Sequence, residues 1–242
     1  MDVTYYDDYE AMSQQASALI TAQLVQKPSS LLCAATGGSP SRTYALLHQE
    51  AGQRPGLFTQ VKLIKLDEWG GLPPQHPATC ESYLQAQLIR PLGISNDRYI
   101  AFQSDAVDPA KECVRIQREL SHSGPIDLCV LGLGVNGHIA FNEPSDGLQA
   151  ACHVAELSSQ SLQHAMVAGM SPKPAYGYTL GMADILQAKQ VILLITGKNK
   201  ENAARGLLSG KITSHLPASF LSLHPNACCL IDRQAVSFEQ IT

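Results

Sequence analysis

Between Gly132 and Pro144 the chain reads GLGVNGHIAFNEP, which sets one imidazole, His138, among glycines, with Asn136 just ahead of it and Glu143 following. Histidine titrates close to neutrality and glycines let the backbone approach a ligand, so this group is suited to proton transfer. A serine hydrolase would need a GxSxG elbow, which the sequence lacks, and no plausible metal-ligand set is present. Two adjacent carboxylates, Asp67 and Glu68, stand where the apolar run ending at Leu66 leaves its strand. Screened from water, a carboxylate there gains proton affinity and can act as a general base; solvated acids capping a loop fit the same two residues. Asp67 is the candidate. Neighbours at a strand end point to opposite sides, so only one of the pair should face a cleft.

Two further segments suit an anion. In ATGGSP, residues 35–40, Gly37, Gly38 and Ser39 sit between a strand and a helix predicted to begin at Pro40. Free N–H groups at a helix start, flexible glycines and a hydroxyl make a phosphate cradle, although an ordinary strand-to-helix turn has the same look. The segment is neither a Walker loop nor a GxGxxG dinucleotide site. In TGKNKE, residues 196–201, Lys198 or Lys200 could meet the same phosphate or remain a solvated surface charge. The other histidines, at 48, 76, 122, 153, 164, 215 and 224, have no comparable setting and read as structural or surface residues.

All four segments need elements to position them, and the apolar pattern supplies these. Met12, Ala16, Leu19 and Ile20 recur at helical spacing, and Pro28 ends that helix before the buried run Leu31 to Ala35. Strands are expected at Val61 to Leu66, Tyr99 to Phe102, Ile126 to Leu131, Val191 to Thr196 and Ala227 to Ile231. Helices are expected near Tyr44 and Leu47, from Tyr83 to Ile89, after Asp108-Pro109, at Met182 to Leu186 and from about Lys200, with an irregular stretch before Met182. Such βαβα alternation implies a Rossmann-like α/β fold, a parallel sheet with helices on both faces, in one domain spanning residues 1–242. Ligands in such sheets sit outside the carboxyl ends of the strands, which is where all four segments fall.

Composition narrows the function classes. With 45% apolar and 16% charged residues the chain can pack a core, and a formal net charge of -4 leaves no basic stripe for nucleic acid. The start MDVTYYDDYE lacks the basic and apolar regions of a secretory signal, and runs such as VILLIT are too short to span a membrane. Seven cysteines without paired CxxC knuckles suit reduced, mostly buried thiols and a cytoplasmic protein.

Taken together, ATGGSP, LDEW followed by GLP, GLGVNGHIAFNEP, TLGMADILQA, ITGKNK and LPASFLSLHPNA resemble the glucosamine-6-phosphate deaminase/isomerase family, in order and over nearly the whole chain. LDEW, ATCESYL, DLCVLGLG and PASFLSLH look closer to its galactosamine-6-phosphate isomerase branch. The resemblance implies a small-molecule sugar phosphate substrate, no cofactor and no metal. It implies that Asp67 moves the C2 proton, that His138 opens the sugar ring accompanied by Asn136 and Glu143, and that Gly37, Gly38, Ser39 and Lys200 hold the 6-phosphate.

Two departures stand out. Asn136 occupies a position where allosteric members resemble one another in having aspartate, so Glu143 must supply the carboxylate beside His138. The stretches Cys152 to Leu157 and Ser161 to Val167 lack the basic residues of the hexameric allosteric enzymes, which implies no allosteric site of that type and a monomer or small homo-oligomer. The nearest rival, 6-phosphogluconolactonase, is similar in its GGS and GH segments but follows the histidine with a Thr-Ala-Ser-Leu type run, unlike Ile139-Ala140-Phe141-Asn142-Glu143. A non-catalytic sugar-phosphate sensor would be suggested by loss of Asp67 or Glu143, and both are present.

Overall fold

In the computed structural model, which describes residues 1–234, the chain opens on strand β1 (Asp2–Tyr6) and enters helix α1 (Tyr9–Gln26). The Asp8 carboxylate caps that helix, accepting from Ala11 N–H at 2.8 Å. Strand β2 (Leu31–Ala34), helix α2 (Gly38–Gln53), strand β3 (Lys62–Lys65) and strand β4 (Asp67–Gly70) follow. Helix α3 (Cys80–Leu84) runs on as a π turn over Gln85–Ile89, and strand β5 (Tyr99–Ile100) precedes helix α4 (Pro109–Ser123). Asp108 caps α4 with Pro109 in its first turn, and Gly124, at φ 88°, ends it. Then come β6 (Leu128–Gly132), β7 (His153–Ala155), β8 (Tyr176–Thr179), helix α5 (Met182–Leu186), β9 (Val191–Ile195), helix α6 (Glu201–Leu208) and β10 (Ala227–Asp232).

Among the described residues, seven strands form one parallel sheet in the order β1-β10-β9-β6-β2-β3-β5. Alternation along each strand divides the core in two. Val191, Leu193 and Ile195 of β9 pack with Cys113, Ile116 and Leu120 of α4 and with Ala203 and Leu207 of α6. Ile192 and Leu194 face the opposite layer, built on Met12, Ala16, Ile20 and Leu24 of α1 and on Tyr44 and Leu47 of α2. The strand order reverses between β2 and β6, and at such a switch point the loops leaving the carboxyl ends diverge and open a crevice.

Most expected elements form within a residue or two, and three differences follow from local physics. Strand β1 was not anticipated: DVTYY alternates exposed and half-buried residues at the sheet edge, so no apolar run marks it. Strands β4, β8 and β7 make a second, antiparallel sheet from segments of three or four residues, too short for a period of two to register. Asp67 therefore opens a strand and does not lie in a loop; Leu180 N–H donates to Leu66 O at 3.0 Å as the backbone turns out of the large sheet. Finally, α2 starts at Gly38, two residues before Pro40.

Candidate active site

Over the β2–β6 switch point lies a cavity of about 670 Å³, lined by Gly37, Gly38, Ser39, Asp67, His138 and Lys200 together. Four segments that are remote in sequence thus meet in one space.

The Gly37 turn has the geometry that an anion cradle requires. Gly37 adopts φ 90°, a left-handed conformation open to glycine, and no side chain caps the helix that follows. Helix geometry leaves the first N–H groups of α2, those of Gly38 and Ser39 among them, without intrahelical partners. Hydroxyl groups take the carbonyls of the same turn. Tyr83 and Ser41 donate to Gly37 O at 2.8 and 2.9 Å, Tyr9 donates to Gly38 O at 2.7 Å, and Tyr44 donates to Ala35 O at 2.8 Å. The carbonyls of the turn are thus occupied while the first N–H groups of α2 stand at the cavity wall, and the helix dipole adds partial positive charge there. Lys200 completes the cationic side; Lys198 does not line the cavity. The Lys200 ammonium donates to Leu133 O at 2.5 Å, and burial lowers its pKa to about 8.

Asp67 is 8% exposed, and burial, reinforced by the neighbouring charge of Glu68, raises its pKa to about 7. The Cys80 thiol, donating to Asp67 Oδ1 at 3.7 Å, and the more distant Lys65 oppose that rise. A carboxyl poised near neutrality can take a proton and return it within one turnover. Glu68 points away, as alternation requires. Its carboxylate is fully buried and accepts from Trp69, Cys80 and Glu81 N–H at 2.8 Å each and from Lys65 Nζ at 2.7 Å. Lys65 in turn reaches Glu81 and Phe102 O at 3.0 Å, so the buried charges are paired and hydrogen-bonded. This network and Cys80 were not foreseen from sequence. A lysine inside the apolar run LIKLDEW was the available signal, because a buried lysine demands a carboxylate partner.

The loop after β6 folds back on itself, with Gly134 N–H donating to His138 O at 2.9 Å and Gly137 N–H to Gly134 O at 3.0 Å. A Cβ on Gly134 would stand 2.3 Å from His138 Cδ2, so only glycine lets the ring lie here. Glu143 Oε2 is 3.3 Å from His138 Nδ1. Asn136 Nδ2 donates to the same oxygen at 2.9 Å, while Ser161 and Ser158 hydroxyls donate to Oε1. Burial by itself would raise Glu143, yet the hydrogen bond and charge of His138, with Ser161 and Asn136, hold its pKa down at about 2. Asn136 and Glu143 sit behind His138 and do not line the cavity; Glu143 reaches it through the imidazole and through Ser161, which does line it.

Residues not anticipated also line the space, among them Tyr9, Trp69, Phe141, Gln160, Asn199 and His164. His164 was assigned to the structural or surface histidines, and its place in the cavity corrects that reading. Nothing in its neighbours Gln163 and Ala165 marks it, because the irregular stretch around it carries no periodic pattern.

A family model described as glucosamine-6-phosphate isomerases/6-phosphogluconolactonase matches residues 7–229. The chain belongs to this glucosamine-6-phosphate isomerase/6-phosphogluconolactonase family. Within the family it is 41% identical to an Escherichia coli (strain K12) protein named "Putative deaminase AgaI", covering 93% of this chain and 90% of that one. It is 35% identical to the glucosamine-6-phosphate deaminase of Bacillus pumilus (strain SAFR-032), covering 98% and 99%. Among solved structures, a monomeric glucosamine-6-phosphate deaminase superposes with a TM-score of 0.91 at 34% identity, covering 97% of this chain and 98% of that one. The 6-phosphogluconolactonase of Trypanosoma brucei shares the fold, with a TM-score of 0.74 at 23% identity over 97% of each chain.

Proposed function

We propose that this chain is a hexosamine-6-phosphate isomerase/deaminase, releasing ammonia as it converts an amino sugar phosphate to the ketose phosphate. The observation that carries this reading is the single cavity in which a carboxyl titrating near neutrality, an imidazole backed by a carboxylate, and an anion cradle converge. The deaminases at 35% and 34% identity support it, whereas the lactonases are similar at the level of fold.

The geometry supports the following course of catalysis. The 6-phosphate sits on the Gly37–Ser39 turn and Lys200, which fixes the far end of the sugar. His138 takes the proton of the anomeric hydroxyl and supplies one to the ring oxygen, so the ring opens to the aldehyde. Glu143, with Asn136, orients the imidazole through Nδ1 and leaves the other nitrogen to the substrate. Asp67 then removes the C2 proton, giving an enolamine, and returns it to C1. The resulting C2 imine adds water and expels ammonia. Atoms balance: aminosugar phosphate and water give ketose phosphate and ammonia, with no change of net oxidation state.

LDEW, ATCESYL, DLCVLGLG and PASFLSLH, which resemble the galactosamine-6-phosphate isomerase branch, favour galactosamine 6-phosphate over glucosamine 6-phosphate as substrate. Tagatose 6-phosphate and fructose 6-phosphate are the respective products. A monomer or small homo-oligomer suits the likeness to a monomeric deaminase, and seven free thiols suit a reducing, cytoplasmic setting. No helix among the described residues is long and apolar enough to cross a membrane. Ammonia release from both sugar phosphates, measured beside hydrolysis of 6-phosphogluconolactone, tests the reading. Ammonia from at least one hexosamine phosphate with negligible lactone hydrolysis supports it; lactone hydrolysis without ammonia overturns it.

A further inference from the structure

The segment Ser161 to Val167 supplies no lysine or arginine to the cavity, yet a phosphate monoester near neutral pH carries close to two negative charges and Lys200 offers one positive charge. His164 stands where a second partner is needed. Its Nε2 lies 3.2 Å from the point a Cβ would occupy on Gly37, so the ring edge rests against the anion turn at the start of α2. Its other nitrogen is already engaged, since Nδ1 accepts from Met166 N–H at 3.3 Å. A neutral ring that accepts at Nδ1 must carry its proton on Nε2, and the N–H donor is therefore on the side of the Gly37 turn.

We infer that His164 is a phosphate-binding residue of this site, donating from Nε2 and taking up a proton at Nδ1, where the 3.3 Å contact from Met166 N–H gives way, as a phosphate monoester dianion settles between the Gly37 turn and Lys200. The inference rests on the hexosamine-phosphate reading and deepens it by assigning the second cation of the phosphate pocket. Electrostatics gives the proton uptake its sense. Burial, and then the charges of Lys200 and His138, keep His164 below an ordinary histidine's pKa. A dianion reverses that field. Asp67 and Tyr9 are the other titratable side chains lining the cavity, and Glu143 acts from behind His138. Linkage then requires phosphate to bind more tightly as pH falls through the titration of His164 in the complex.

The test uses the protein's single tryptophan. Trp69 lies 6.1 Å from His164, ring centre to ring centre, and a protonated imidazole at that range quenches indole emission. Emission is titrated against pH with and without inorganic phosphate, in the wild type, in His164→Gln and in His164→Leu. The expected result is a quenching step in the wild type whose midpoint moves to higher pH with phosphate and which both variants lose. Turnover adds a second readout: His164→Leu is expected to raise KM for the hexosamine phosphate about 10- to 100-fold, the range for one hydrogen bond to a charged group, with kcat within about threefold. His164→Gln, which keeps an N–H donor near Nε2, should recover part of that loss. An unmoved wild-type midpoint, or wild-type KM in a folded His164→Leu, overturns the inference. The emission arm needs no turnover, so it decides His164 separately from the deaminase reading, which ammonia release decides.

Discussion

Glu143 Oε2 lies 3.3 Å from His138 Nδ1, and this contact determines which ring nitrogen is left to face the cavity. Asn136 donates to the same carboxylate oxygen at 2.9 Å and accepts from His138 N–H at 3.2 Å, so an uncharged residue braces both partners. The negative charge that balances a protonated His138 belongs to Glu143.

Glu143→Gln should therefore keep the shape of the pair and lose its charge. A fall in kcat on the order of 10²-fold is expected, with KM for the sugar phosphate little changed, because general acid-base contributions are of that size and Glu143 does not line the cavity. Steady-state kinetics check this. Stability carries the same signature. Glu143 has a folded pKa of about 2, below its ordinary 4.5, so its stabilising effect is present above about pH 4.5 and disappears as pH falls through about 2. Denaturant unfolding should show Glu143→Gln weaker than wild type at pH 7, with the gap closing in acid.

The pH profile of kcat/KM should be bell-shaped. Asp67 must be ionised to act as a base, and with its pKa raised to about 7 the rate falls on the acid side of that value. Lys200 must be protonated to hold phosphate, and its pKa of about 8 places the alkaline limb. Lys200→Met is expected to remove the alkaline limb and raise KM; a profile flat from pH 6 to 9 contradicts both assignments.

Asp67 also weakens the fold it serves. Its folded pKa lies above the unfolded value, so the contribution it makes to stability is present below about pH 4 and is lost as pH rises through about 7. Above pH 7 a buried charge remains. Asp67→Asn should consequently be more stable than wild type at pH 8 while losing activity by about 10²- to 10⁴-fold, the range for a positioned base. Thermal denaturation at pH 5 and pH 8 separates the two effects.

Cys80 tunes the same carboxylate. Thr36 Oγ1 donates to Cys80 Sγ at 3.4 Å, and Cys80 donates to Asp67 Oδ1 at 3.7 Å, a chain linking the anion loop to the base. Removing the thiol in Cys80→Ala should move the acid limb of the rate profile to higher pH, whereas Cys80→Ser should leave it near the wild-type position. An acid limb unmoved in the alanine variant removes Cys80 from this role.

Gly134→Ala tests the packing of the histidine loop. The new Cβ would meet the imidazole at 2.3 Å and push it aside. A displacement near 1 Å costs about 10²-fold in rate, so kcat should fall by roughly that factor while sugar phosphate still binds. Comparing kcat with KM checks it.

The parallel sheet and its four site loops were legible because buried runs such as VILLI and LCVLG announce strands, and glycines, His138 and Asp67 follow them directly. The second sheet was not. Its strands are short, and β8 pairs Thr179 with both Asp67 and His153 through contacts more than a hundred residues apart in one case. The same applies to His164 and Cys80, whose roles depend on neighbours brought from other elements. Spacing along the chain carries no trace of Gly37 meeting His164, or of Thr36 meeting Cys80.

The central claim is that Asp67 carries the C2 proton of an aminosugar phosphate. Deuterium at C2 of galactosamine 6-phosphate and glucosamine 6-phosphate tests it most directly, with turnover and the label at C1 of the ketose product followed together. A slower reaction with the C2-deuterated substrate is expected, with some label delivered to C1 in the wild type and no C2 cleavage in Asp67→Asn. Unimpaired C2–deuterium cleavage by the asparagine variant contradicts the account.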